Sequence, residues 1–67
     1  MGKMSEKELL SIIDRYGYDL KEETGCLVAI KRISPYVQPQ HSPAFGRGGR
    51  YWQLKHIVMW IFQVEDN

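Results

Sequence analysis

The stretch Thr24–Ile33, "TGCLVAIKRI", decides how this chain folds. Read forward from Asp19, it continues a helix. Asp19 and Glu22 have the spacing of a capping box, so a second helix is expected from about Leu20 to Ile33. Two features pull the other way. Gly25 inside a helix costs about 1 kcal/mol relative to alanine. Leu27, Val28, Ile30 and Ile33 are mostly β-branched, so a strand from Cys26 to Ile33 is the open alternative.

Upstream lies a clearer element. Ser5 followed three residues later by Glu8 makes a capping box, and Leu9, Ile12, Ile13 and Tyr16 recur on one apolar face, with Leu10 beside it. Gly17 stops this first helix, since glycine tolerates the positive φ of a helix end. Only two or three residues then separate it from the expected second helix, the short turn of a helix-turn-helix.

Downstream, residues 34–49 hold all three prolines and three of the six glycines, so no helix crosses Pro35, Pro39 and Pro43. A β-hairpin is expected here. One strand starts near Pro43 to Phe45, the chain turns through Gly46–Gly49, and it returns through Arg50 to Gln53. Leu54, Ile57, Val58 and Ile61 then mark one face of a third helix, with Met59, Trp60 and Phe62 off that face; the aromatic and β-branched content of "YWQLKHIVMWIFQV" leaves one long strand as the alternative. The whole is expected to be one α+β domain over residues 1–67, about three helices with a glycine-tipped hairpin. Residues 1–4 and 63–67 are expected to fray.

A chain of 67 residues makes one domain at most and buries only roughly 60% of the surface its unfolded form exposes. With one cysteine, Cys26, it has no internal disulfide, and with no apolar run of about 18 residues it has no membrane span. A soluble, cytoplasmic protein is expected. The net charge of +1 hides a lopsided distribution. Residues 1–25 carry four basic and six acidic side chains; residues 26–64 carry Lys31, Arg32, Arg47, Arg50 and Lys55 and no carboxylate. Such an acid-free stretch lets phosphate approach without like-charge repulsion.

The tip "GRGGRYW", Gly46–Trp52, gives that charge a shape. Gly48 and Gly49 let the backbone turn and come close to a ligand, while arginine offers a planar fork to phosphate and is drawn to a narrow minor groove. Catalysis is not expected. Cys26, His41 and His56 stand fifteen residues apart, which matches no metal signature, and there is no paired-carboxylate site, nucleophile elbow or phosphate loop. No cofactor is called for.

The order of helix, short turn, "TG", second helix, proline-containing stretch and "GRGGRYW" leading into Val58-Met59-Trp60-Ile61 resembles the Cox-type and excisionase-type regulators of temperate phages. These are relatives of the AlpA-like winged helix-turn-helix proteins. The resemblance spans roughly residues 5–61 and is specific over 46–61. It implies a winged helix-turn-helix that binds repeated sites on double-stranded DNA, steers a phage integrase toward excision and represses a promoter. It places the protein in a bacterial cell, at the nucleoid. On this match Lys21 and Thr24 lie near the start of the recognition helix, and Lys31 and Arg32 late in it. Arg47, Arg50, Gly48 and Gly49 form the wing, and Lys55 and His56 follow it. The apolar "CLVAI" departs from the polar recognition helix of the family, which shifts the expected contact to the wing. Self-association on DNA is implied, with Met59, Trp60 and Phe62 as the contact. Two other functions compete: a small phage-type α+β protein holding a host protein through its aromatic C-terminal segment, and a single-strand binder stacking bases on Tyr36, Tyr51 and Trp52.

Overall fold

The computed structural model describes residues 3–32 and 41–66. Four elements follow in order: helix α1 (Glu6–Arg15), strand β1 (Tyr18–Glu23), strand β2 (Cys26–Lys31) and helix α2 (Arg50–Glu65). The fold class is α+β, as expected. Its helix count and its connection are not.

α1 forms where local signals put it. The Ser5 hydroxyl accepts from the Glu8 amide at 3.2 Å, and the Glu8 carboxylate accepts from the Ser5 amide at 3.0 Å. Two orphan donors of the first turn are thereby satisfied. Gly17, at φ +86°, turns the chain out of the helix.

The expected second helix is a β-hairpin. Thr24 and Gly25 both have positive φ, +49° and +79°. That is the requirement of a two-residue type I′ turn, whose twist matches the strands it joins. β1 and β2 pair antiparallel from Tyr18↔Lys31 to Glu23↔Cys26. The alternation then settles β2: Leu27 and Ala29 are buried toward the helices, while Cys26, Val28 and Ile30 half-bury on the other face. With apolar residues on both of its faces, the strand reads as a continuous apolar run, which is why its period is hidden. Ile33, the expected end of this segment, lies outside the described residues.

Residues 43–53 do not form the expected wing either. Residues 41–45 run along the free edge of β2, bridging Ile30↔His41 and Leu27↔Phe45. These two bridges differ in register by one residue, so an extra residue sits between them. Continued from Leu27↔Phe45, the ladder would set Ala29 against Pro43, which has no N–H to give. Ser42 fills the gap. Its amide donates to the Ala29 carbonyl at 2.8 Å, and its hydroxyl accepts from the Ala29 amide at 2.9 Å and donates to the Pro43 carbonyl at 2.9 Å. Residues 50–53, expected as the returning strand, are the first turn of α2. Gly46–Gly49 therefore link the sheet edge to a helix rather than tipping a hairpin.

Both helices cover one face of the sheet. Leu9 and Ile13 of α1, Tyr18, Leu27 and Ala29 of the sheet, and Leu54, Ile57, Val58 and Ile61 of α2 make the core. The α2 stripe is the one its spacing predicts. The helix starts earlier than expected and runs on through Glu65. No helix among the described residues is long and apolar enough to cross a membrane.

Candidate nucleic-acid interface

α2 begins in an unusual way for its length. Its N-cap is Gly49, which has no side chain to accept from the first-turn amides, and its first turn has no acidic residue. The first amides of any α-helix lack partners within the helix, and they carry the positive end of its dipole. Among the described residues nothing accepts from these amides, and Arg47 and Arg50 flank them. Helix starts of this kind bind phosphate through backbone N–H groups.

The loop before it is clamped. Gly48 sits at φ +77°, and a Cβ there would lie 2.8 Å from the Trp52 ring. The Gln53 side chain, nearly buried, donates to the Gly48 carbonyl at 3.1 Å and to the Gly25 carbonyl at 3.4 Å. It ties the hairpin turn to the glycine loop and so sets where Arg47 projects. Sequence reasoning missed Gln53. Its signal was a lone polar residue one turn before Ile57 on an otherwise apolar face.

Gly46 lies against β2. A Cβ on it would stand 2.3 Å from the Cys26 sulfur. Gly46→Ala is expected to destabilise the protein by about 1–3 kcal/mol through overpacking. Cys26→Ala removes the sulfur and is expected to recover most of that loss. Urea melts of the two single variants and the double variant give the coupling, and additive effects would contradict the close approach.

The predicted basic residues divide into two groups. Arg47 is exposed and makes no ion pair among the described residues. Arg50 meets Glu6 at 3.2 Å in a half-exposed pair. Lys55, one turn on, holds its ammonium over the Trp52 and Tyr51 rings at 5.2 and 5.8 Å. Thr24 is close to this end through the Gln53 clamp, but as a turn residue rather than the start of a helix. Lys21 is on β1, paired with Glu23 at 3.2 Å. Glu22 and Glu23 close β1 beside the turn, so the cationic surface is confined to the loop and α2.

Lys31 and Arg32 are elsewhere and engaged in structure. Lys31 donates to the Tyr16 carbonyl at 2.9 Å and to Glu65 at 3.0 Å. Arg32 bonds Asp14 at 2.7 Å, Asp19 at 3.0 Å and the Tyr18 carbonyl at 3.0 Å. Their expected place late in a recognition helix is corrected: the hairpin carries them to the end of the molecule where α1 stops and α2 finishes. There the Tyr18 hydroxyl also donates to Glu65 at 2.8 Å. Burial first, and Glu65 second, push the Tyr18 phenol up to about 12, while hydrogen bonds from Lys31 and then Tyr18 hold Glu65 below its usual value. A depressed carboxylate stabilises the fold above its unfolded pKa and stops doing so as pH falls through the folded one. A raised phenol stabilises below about pH 10 and is lost as pH rises toward about 12. Thermal melts are expected to show losses on both flanks, and Tyr18→Phe to remove the alkaline one.

The aromatic residues separate too. Trp60 is half-buried, edge-on to Tyr18 at 5.7 Å, and packs against the core. Met59 and Phe62 remain exposed, at 63% and 38%. Tyr51 is anchored through its hydroxyl to the Met4 carbonyl, and Trp52 is 48% exposed. Tyr36 lies outside the described residues. Cys26, His41 and His56 stay apart, and among the described residues no group of three His, Cys, Asp or Glu could hold a metal. Compared with protein-family models, curated proteins and solved structures, the chain matches none.

Proposed function

We propose that this chain binds double-stranded DNA by setting the Gly46–Gly49 loop and the start of α2 against the phosphate backbone. The observation that carries this is the helix start itself. It is uncapped, free of acid in its first turn, and flanked by Arg47, which has no ion pair among the described residues. Bare amides supply directional donors and Arg47 supplies charge. Arg50 adds a second guanidinium by leaving Glu6. An exposed pair of that kind is worth only about 0.2–1 kcal/mol, so the exchange costs little.

This contact is to backbone. The helix end, not a polar helix face, meets the duplex, so selectivity comes from DNA shape and from several copies acting together. The regulatory roles implied by the resemblance, excision control with an integrase and promoter repression, would both draw on such a grip. They are proposed with it. A winged helix-turn-helix is not needed for it, since the loop and helix start provide the donors.

Titrating labelled mixed-sequence duplex at several salt concentrations tests the reading. With two or three phosphates neutralised, log affinity is expected to fall with log salt at a slope of about −2 to −3, from dissociation constants of roughly 1–100 µM. No binding at low salt would overturn it. The chain would then return to the second expectation, a protein partner held by its aromatic C-terminal helix.

A further inference from the structure

We propose that α2 pairs with α2 of a second copy, antiparallel, through Lys55, Met59, Phe62 and Asp66. Apolar residues lie on several sides of the helix, and the fully buried ones, Leu54, Ile57, Val58 and Ile61, form one stripe that faces the core. Lys55, Met59, Phe62 and Asp66 form a second stripe with spacing four, three, four, the repeat of a helix-pairing seam. Met59 is the most exposed large apolar side chain described, at 63%. A groove lies on each side of it. One is walled by Met4, Leu9 and Val58, the other by Pro43, Phe45 and Trp60. A ridge between two grooves is the surface that helix packing uses.

The charges identify the occupant. Read in reverse, Lys-Met-Phe-Asp becomes Asp-Phe-Met-Lys. Under a two-fold axis, each Lys55 meets the partner's Asp66 and each Met59 meets the partner's Phe62. The stripe is thus complementary to itself, as an isologous interface requires. Neither Lys55 nor Asp66 has an ion-pair partner among the described residues. Parallel pairing would stack lysine on lysine, aspartate on aspartate, and align the two helix dipoles. Antiparallel pairing opposes the dipoles and unites opposite charges.

The pairing has a consequence that rests on the DNA reading. Lys55 set against the partner's Asp66 separates the two α2 starts by about 32 Å along the helices, at 1.5 Å per residue. With helix axes roughly 8–10 Å apart, the two bare helix ends stand about 33 Å from each other. One turn of B-DNA repeats at about 34 Å, so the pair meets one face of a duplex twice.

Sedimentation equilibrium of the full chain without DNA tests the pairing, which keeps its failure distinct from failure of DNA binding. The expected result is a monomer–dimer equilibrium with a dissociation constant of roughly 10–100 µM. Lys55→Asp and Asp66→Lys are each expected to weaken it about tenfold, and the double exchange to restore it to within about threefold. Met59→Lys is expected to leave a monomer with unchanged circular dichroism. A wild-type chain monomeric up to about 1 mM, a dimer indifferent to Met59→Lys, or a double exchange no tighter than the single ones would overturn the proposal.

Discussion

Replacing Arg47 and Arg50 together by alanine is expected to weaken duplex binding about a hundredfold at low salt and to leave the fold intact. Two charge-assisted contacts are lost, each roughly tenfold in affinity, and the salt slope shrinks by about two. Stability is expected to change little. Arg47 makes no ion pair among the described residues, and the Arg50–Glu6 pair at 3.2 Å is half-exposed. The single variants divide the effect. Arg47→Ala loses a contact outright, whereas Arg50→Ala also frees Glu6, a carboxylate beside the helix start. Glu6→Gln is therefore expected to tighten binding two- to threefold, at about the value of one weak surface pair. Gel shifts with a fixed duplex at two salt concentrations measure the four variants beside the wild type. Equal affinity for the wild type and the double variant would remove the loop from the interface.

Ser42→Ala is expected to be costly for so small a substitution. It deletes one oxygen and leaves the Ala29 amide, in the middle of β2, without an acceptor. Ser42 is 2% exposed and Ala29 0%, so water does not replace the hydroxyl freely. An unsatisfied buried donor costs about 1–3 kcal/mol. For a chain of this size each kcal/mol moves the midpoint by roughly 4–8 °C, so a fall of about 10 °C is expected. The contrast is Ser11→Ala, an exposed serine of α1, which is expected to be near neutral. A melting point for Ser42→Ala within about 2 °C of the wild type would show that the bulge is not held by the hydroxyl.

α1 was legible because everything that makes it is local. Ser5, Glu8 and the Leu9–Ile13 face lie within a few residues of one another, and Gly17 closes it. The core stripe of α2 was legible for the same reason. β2 was not. Its apolar residues sit on both faces, Leu27 and Ala29 toward the helices and Val28 and Ile30 away from them, so no alternation shows, and which face the helices take is a long-range fact that periodicity does not carry. The available signal was Thr24-Gly25 as a two-residue turn between two extended runs. Reading it as the start of a recognition helix moved Lys31 and Arg32 into the candidate interface. Their true partners, Glu65 and Asp14, are far along the chain and come together only through the hairpin. In the candidate site, Arg47, Arg50, Gly48 and Gly49 were named from the "GRGGRYW" run and the resemblance it carries. What no local pattern supplied is that Gly49 caps a helix, because the same glycine run fits a hairpin tip equally well.

The account stands on bare amides at the start of α2 meeting phosphate. Amide nitrogen and proton shifts of the 15N-labelled chain, followed while a short duplex is added at low salt, test that most directly. The largest changes are predicted at Gly48, Gly49, Arg50, Tyr51 and Trp52, with the sheet's outer face at Val28 and Ile30 unmoved. Changes centred on the hairpin strands or on Met59 and Phe62, with the start of α2 silent, would contradict it.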